Sequence, residues 1–399
     1  MSSECVDSIP RIAPPFWVLV LIALGGTMAM HMFVPALPDA AQSLHAQAGQ
    51  MQMAISIYII GLAVGQLIYG PLSDSFGRRP LLMIGLIVYV VGGLIIALAP
   101  NLSCLLFGRL VQALGSCAGV ALGRAIVRDT SDGGSSVSQL ALLNLMVVMS
   151  PGFAPMIGGF VAGAWGWRIM FALLSLTGAF TLGVAWKLLP ETRRAAHRTD
   201  AANLVADYRA LLGSARFLGF AVGNGLATFS IYAFLSAAPF ILVNELHLPL
   251  HLVGIYMGLM IAGMAIGNLI TVKLAKRVCP VSLMRVGCTI SFVCAFTLLC
   301  ILLLGRLDVR TVVCGIVLFT CGSGMVNPVA LANALSVNDR LIGSAAGLCG
   351  CIQYAVGAVC TTVAALGPSP AFSALLVLVI ATATAQFAFF LALAKRPAR

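Results

Sequence analysis

The feature that most constrains this chain is a succession of long apolar runs separated by short polar segments. A helix needs about 20 apolar residues to cross the hydrocarbon core of a bilayer. Of the 399 residues 60% are hydrophobic and only 9% are charged, whereas a soluble domain carries about a quarter charged residues. The sequence therefore predicts an all-α membrane protein with twelve spans, at 16–35, 51–70, 81–99, 103–124, 139–163, 168–188, 216–243, 252–273, 283–304, 311–335, 342–366 and 371–394.

The net charge of +11 reports topology rather than a nucleic-acid partner. The cationic residues lie in the short segments between apolar runs, and nearly all of them fall on one side of the predicted membrane. Only Arg168, Arg306 and Arg310 fall on the other side. The asymmetry predicts that both termini and the central loop are cytoplasmic. No small-x-small cleavage site follows the first run promptly, so we expect that run to be retained as a span.

An internal repeat divides the chain. Segments 65–85 and 267–287 match at a constant offset of 202 residues, with glycine at both ends of each segment. A same-orientation offset predicts two parallel six-helix halves at 1–190 and 216–399. The charged and mildly amphipathic linker at 191–215 is expected to form an interfacial helix between them.

Four short motifs resemble one family. Segment 70–79 reads GPLSDSFGRR, segment 109–115 reads RLVQALG, segment 124–129 reads RAIVRD, and segment 150–159 reads SPGFAPMIGG. The set is similar to the major facilitator superfamily, and within it to the drug:proton antiporters of the bicyclomycin and chloramphenicol resistance (Bcr/CflA) type. The resemblance implies alternating access between two halves, drug efflux, a monomer and the bacterial inner membrane. Ala154 stands where many members have glycine.

Segment 70–80 is a short charged hinge that we expect to act as a gating latch. The Asp74 carboxylate can accept hydrogen bonds from backbone N–H groups at a neighbouring helix N-terminus. The resemblance suggests the start of the eleventh helix, near Gly343 and Ser344. The alternative is a solvated loop that only obeys the positive-inside rule, which is also enough to explain Arg79. The latch residues are Gly70, Asp74, Gly77, Arg78 and Arg79.

Arg109 lies inside the fourth predicted span. An intramembrane arginine is costly unless it is paired or hydrated, so we expect it to face a cavity. Gln112, three residues on, would share its helix face. The alternative is that the side chain snorkels to the nearer membrane surface.

His31 is the candidate proton carrier. Related drug exporters commonly have Asp at this place in the first helix, and none of the twelve acidic residues of this chain falls in the middle of a span. Histidine is the other side chain that titrates near neutrality. By residue count His31 and Arg109 lie at similar depth, which predicts a shared cavity. The alternative is a hydrated histidine near the outer interface.

The fifth predicted span is rich in proline and glycine. These residues kink a helix and allow a neighbouring helix to approach closely. The resemblance identifies the segment as an antiporter motif at the interface between the halves. Its residues are Pro151, Gly152, Pro155, Gly158 and Gly159.

A substrate pocket in this class of protein is mostly apolar, with a few placed polar groups. Seven polar residues inside predicted spans are candidates for substrate contact, and each is equally compatible with helix–helix hydrogen bonding. Phe153, Phe229 and Phe234 fit core or lipid-facing packing better. The seven candidates are Asn144, Asn224, Tyr232, Asn327, Asn333, Gln353 and Tyr354.

The membrane composition together with the family resemblance implies export of a small, fairly apolar or amphipathic compound, driven by inward proton flow. An uncoupled or symport-type metabolite transporter of the same fold remains open, as does a non-transporting membrane sensor. No convergent nucleophile–base set is present, so we expect no enzyme activity and no cofactor. Cys349 and Cys351 would point to different faces of a helix, and we expect no metal site there.

Overall fold

A computed structural model describes residues 14–130, 133–192, 201–275, 277–337 and 342–394. Helices account for nearly all of these residues. They are α1 Phe16–Met32, α2 Leu37–Ser43, α3 Ala48–Phe76, α4 Arg78–Ala97, α5 Leu102–Thr130, α6 Gly133–Trp165, α7 Trp167–Leu188, α8 Ala201–Leu212, α9 Ala215–Thr228, α10 Ile231–Phe240, α11 Leu250–Leu274, α12 Pro280–Leu303, α13 Val309–Leu335, α14 Ile342–Ala365 and α15 Pro370–Ala394.

The prediction of an all-α membrane fold is confirmed. Within the described ranges, eleven helical segments are long and apolar enough to cross a membrane. The fifth predicted run corresponds to α6, a helix of 33 residues, and most side chains of its first half are outside the described ones. The count of twelve spans therefore stays a prediction.

Several boundaries differ from the expected ones, and two of the differences have a local reason. Helix α3 continues through the start of segment 70–80, and the turn to α4 is made by Gly77 alone. Its φ of 97° is a conformation that residues with a side chain rarely adopt. The seventh predicted run is interrupted between α9 and α10 at Phe229 and Ser230, and it ends in a π-helical turn at Ile241–Glu245.

The sequence repeat is matched by the helix starts. Ala48 begins α3 and Leu250 begins α11, and these positions are 202 residues apart. Arg78 begins α4 and Pro280 begins α12, again 202 residues apart. The repeat divides the spanning helices into a first set, α1 to α7, and a second set, α9 to α15. Between these two sets, α3 packs against α14 and α6 packs against α11.

The bundle has two distinct ends. The basic end carries Arg78, Arg79, Lys187 and Lys273, and the opposite end carries the turn Val34–Ala36 between α1 and α2. At the opposite end, segment 32–37 is buried throughout and contacts α10 and α11. The bundle is therefore closed there.

Candidate functional site

A central cavity of about 300 Å³ lies between the two sets of helices. Residues from α1, α3, α5 and α6 form one wall, and residues from α9, α10, α11, α13 and α14 with Phe229 form the other. The lining continues to Gln66, Leu331 and Ala346 near the basic end, where Ala346 is exposed. Because segment 32–37 closes the opposite end, the cavity is accessible from the basic end.

Aromatic rings form one side of the cavity around the break between α9 and α10. The rings of Phe229 and Tyr354 meet edge to face at 5.0 Å between centroids, and those of Phe229 and Tyr232 lie 5.6 Å apart. The His31 ring stacks on Tyr232 at 5.9 Å. Flat apolar faces with a polar edge suit an aromatic guest.

His31 is the titratable imidazole of the cavity wall. It lies in the last turn of α1, only 3% of its surface is exposed, and its Nδ1 has no hydrogen-bond partner. The proline-containing turn that follows it, Val34–Ala36, ends the α-helix and holds His31 at the closed end of the cavity.

Arg109 lies behind the cavity wall, enclosed within α1, α3, α5 and α7, and is not part of the cavity lining. Its exposed fraction is 0%. Its Nη1 donates to the Ala29 carbonyl at 3.0 Å and to Gln112 Oε1 at 3.0 Å, and its Nε donates to the Ala54 carbonyl at 3.4 Å. Within the described part of the chain no carboxylate pairs with it.

Aromatic faces complete the environment of the Arg109 guanidinium. Its central carbon lies 4.0 Å from the centroid of Tyr58, 5.3 Å from Phe33 and 5.7 Å from Phe171. Such cation–π contacts are worth about 2 kcal/mol where water is excluded. Two buried donors, Arg109 Nη2 and Gln112 Nε2, have no partner. The site therefore holds a positive charge through dipoles and ring faces rather than a counter-ion.

The proline- and glycine-rich part of α6 packs directly against α1 and α11. A Cβ atom added at Gly158 would lie 1.9 Å from the Met32 carbonyl oxygen. On α11, a Cβ at Gly254 would lie 2.4 Å from the Pro155 carbonyl oxygen, and one at Gly258 would lie 2.4 Å from that of Gly152. The motif thus provides close backbone contact at the helix pair that joins the two sets.

The turn at the basic end is held by a residue that the sequence reasoning did not single out. Glu191, just after α7, accepts hydrogen bonds from the backbone N–H groups of Arg78 at 3.0 Å and Arg79 at 3.2 Å. Arg79 Nη2 donates to the Trp186 carbonyl at 2.7 Å, and Arg78 Nη1 donates to Ser73 Oγ. Arg79 therefore has a structural contact in addition to its effect on topology.

The first turn of α14, the expected partner of Asp74, is contacted by the linker helix α8. Ser344 Oγ donates to Asp207 Oδ2 at 3.3 Å, and the Tyr208 hydroxyl approaches Gly347. The structure does not describe the side chain of Asp74 or the surroundings of Gly70 and Gly343. The Asp74 latch stays a prediction.

The predicted pocket residues are divided by the structure. Tyr232, Asn327, Gln353 and Tyr354 line the cavity. Asn224 is buried outside the lining and donates from Nδ2 to Asn327 Oδ1 at 3.1 Å. The other candidates contribute no described contact with the cavity: Asn333 bonds within its own helix to the Val329 carbonyl, and the side chain of Asn144 lies outside the described ones.

Some residues of the site were missed by the sequence reasoning. Phe229 was expected in a packing role and instead lines the cavity, whereas Phe153 is exposed and Phe234 is buried in the core. Gly254 and Gly258 form a G-x-x-x-G pattern, which is a recognisable signal for close helix contact. When an apolar run has no polar–apolar periodicity, the sequence does not show which side chains of the helix face a cavity. This explains the error at Phe229.

Comparison with known proteins identifies the family. Residues 19–361 match the Major Facilitator Superfamily, and the chain belongs to it. It is 30% identical over 362 residues to Multidrug resistance protein D of Escherichia coli (strain K12), with 88% of each chain covered. It is 24% identical over 343 residues to a bicyclomycin resistance protein homolog of Haemophilus influenzae, with 86% of each covered.

The fold is shared with solved transporters of other cargo. A D-xylose–proton symporter superposes with a TM-score of 0.77 at 13% identity, covering 94% of this chain and 96% of that one. The chain is therefore a membrane transporter of this superfamily, with relatives that are named for drug resistance, and not an enzyme. Since a symporter has the same fold, the fold alone does not set the direction of transport.

Proposed function

We propose that this protein exports small, largely apolar compounds by alternating access, as a proton antiporter. The observation that carries the proposal is the central cavity, which lies between helices of both halves and opens toward only one end. Halves 1–190 and 216–399, joined by the linker 191–215, would rock about this cavity. The drug-resistance names of its relatives support efflux as the direction.

The basic end is proposed to face the cytoplasm of a bacterial cell, in the inner membrane. Arg78, Arg79, Lys187 and Lys273 at that end follow the positive-inside rule. In this orientation the cavity is open to the cytoplasm, which is the state that loads an exported compound.

His31 is proposed to couple transport to protons. It is the imidazole at the closed end of the cavity, its Nδ1 is unpartnered, and it contacts Tyr232 of the other half. A proton would enter from outside when the opposite end is open and leave to the cytoplasm in the present arrangement. Arg109 contributes through α1, because its Nη1 holds the Ala29 carbonyl two residues before His31.

The basic end is proposed to close by a latch between the two halves. Closure would bring Asp74 to the first turn of α14, where a helix N-terminus favours an anion. In the open arrangement that turn is contacted by Asp207 through Ser344. Asp74 would therefore replace Asp207 at the first turn of α14 as the two halves rock. This motion needs only a monomer.

A drug-susceptibility panel in an efflux-deficient bacterium tests export. Expression of the wild type should raise the inhibitory concentration of at least one neutral or apolar drug, while His31→Ala and Asp74→Asn lower that protection. Protein levels in the membrane fraction serve as the control. If no compound of a broad panel changes its accumulation, efflux is rejected and a sensor role gains support.

Proton coupling is tested in inverted membrane vesicles. Addition of a transported neutral compound should release protons from the acidified lumen with the wild type and not with His31→Ala. Transport with no proton movement and no dependence on the pH gradient would identify an uncoupled transporter. Proton movement in the same direction as the compound would identify a symporter.

A further inference from the structure

The cavity wall can carry a positive charge but no negative one among its described residues. Among the described residues that line it, none is Asp, Glu, Lys or Arg, and His31 is the one imidazole. The wall is therefore neutral when His31 is unprotonated and positive when it is protonated. At neutral pH no described lining group offers a negative charge to a guest.

A fixed positive charge lies directly behind this wall. Arg109 is fully buried, and no carboxylate in the described ranges pairs with it. Its Nη1 bonds the Ala29 carbonyl, and the next two residues of α1, Met30 and His31, line the cavity. A charge buried away from water is weakly screened, so Arg109 acts on any charged guest in the cavity.

The polar groups of the opposite wall include an oriented donor. Asn327 lines the cavity, and its Oδ1 is already occupied by the Asn224 amide. The Asn327 NH₂ group donates no hydrogen bond within the described residues, so it is available as a donor to a guest. A donor on one wall and a cation behind the other both favour an acceptor with negative charge, beside the ring faces of Phe229 and Tyr232.

We infer that the cavity selects aromatic monoanions, such as aryl carboxylates, over aromatic cations of the same size, and that neutral analogues rank between them. This inference rests on the proposed transport function, because it names the cargo class of the same cavity. It sets this chain apart from a transporter with a carboxylate in the cavity, where the electrostatic order would be reversed. The order follows from charge alone, since shape is common to the three guests.

The test uses three naphthalene probes: 2-naphthoate, 2-naphthamide and 2-naphthylmethylammonium. Equilibrium dialysis of the purified full-length chain, with protein-free micelles as the blank, gives a Kd for each. The Kd of 2-naphthoate should be at least roughly tenfold lower than that of the ammonium probe, because one weakly screened cation attracts the first and repels the second. An ammonium Kd equal to or below that of naphthoate overturns the inference, as does saturable binding of none of the three.

Variants that differ only in charge isolate the cause. His31→Asp should reverse the order of the two charged probes, while His31→Asn, the neutral isostere, should keep it. If His31→Asp fails to fold, Gln353→Glu provides the same added charge on the other wall, with the same reversal expected. Reversal in the Asn variant as well would overturn the electrostatic argument.

Failure of this inference is distinguishable from failure of the proposed function. Dialysis measures binding without a gradient, so the order of Kd values does not depend on export. Drug protection together with a cation-preferring cavity would reject the cargo class and leave efflux intact. Anion preference without export in any assay would retain the binding class and reject efflux.

Discussion

Substitution of Gly258 by Ala should open the end of the bundle that is closed in this structure. The added Cβ would lie 2.4 Å from the Gly152 carbonyl oxygen, whereas an ordinary contact is 3.4 Å or more. Helices α6 and α11 must therefore separate by about 1 Å, because a backbone carbonyl in a helix has no rotamer by which to retreat. Overpacking of this kind costs about 1–3 kcal/mol.

This cost falls on one conformation only. If alternating access separates α6 from α11 when the opposite end opens, the open state does not contain the contact. A difference of 1–3 kcal/mol then shifts the equilibrium toward the open state by roughly 5- to 150-fold. Hydrogen–deuterium exchange of the amides in segment 32–37, which is buried in the closed state, should accelerate by the same factor.

Gly152→Ala is the matched control, because a Cβ at Gly152 meets nothing within 4 Å. Both substitutions replace a helical glycine, so both gain about 1 kcal/mol of helix propensity, and their difference isolates the α6–α11 contact. Unchanged exchange in Gly258→Ala, or equal acceleration in the two variants, would refute the reasoning. Exchange that rises uniformly over the whole chain would indicate unfolding instead of gating.

Three further predictions concern the charged residues. Glu191→Gln should lower the stability of the purified protein by about 1 kcal/mol, because one of the two acceptor oxygens at the start of α4 is replaced by an NH₂ donor. The loss is measured as a lower apparent Tm, and an unchanged Tm contradicts the prediction. Arg109→Lys should lower transport by roughly tenfold or more at normal membrane levels, since an ammonium cannot reproduce the guanidinium fork; full activity would show that charge alone suffices. Asp207→Asn should weaken the contact with Ser344 and favour closure of the basic end, seen as slower exchange of the first amides of α14; faster exchange there would reject the proposed exchange of carboxylates.

The sequence predicted the helices well because span length is set by the bilayer. Helix starts such as Phe16 and Ala48 lie within about three residues of the predicted boundaries, which is the usual precision of such assignments. The exception at Gly77 is informative. The sequence predicted a hinge of eleven residues, 70–80, but the turn is made by a single glycine with positive φ. The hinge was predicted too long because turn-forming residues and a charged helix end have similar compositions.

The site was less predictable because its contacts join distant parts of the chain. The Glu191 carboxylate meets the backbone of Arg78, 113 residues away, and backbone donors carry no sequence signal. Arg109 was expected to face a cavity because an uncompensated cation in a membrane is costly. The three ring faces and two carbonyls that surround it come from α1, the residue that follows α1, α3 and α7, and spacing along the sequence does not reveal such an enclosure.

The charge of the cargo decides which force can drive it, and this separates the two proposals experimentally. A proton on His31 attracts an anion, so a carboxylate guest and a proton do not compete through charge. An anion also needs no proton to leave the cell, because 100 mV of membrane potential contributes about 2.3 kcal/mol per charge. A neutral guest receives nothing from the potential through its own charge, and it can be driven only by the proton that moves inward in exchange.

In proteoliposomes, efflux of 2-naphthoate should therefore respond to a potassium–valinomycin potential without a pH gradient. Efflux of 2-naphthamide should respond to a pH gradient when potassium and valinomycin clamp the potential at zero. His31→Ala should abolish the second response and retain the first, since it removes the proton site but leaves Arg109 behind the cavity wall. Loss of both responses at a normal membrane level would show that His31 is needed for the rocking motion itself. Retention of the pH response in His31→Ala would place the proton on another group and refute the coupling argument.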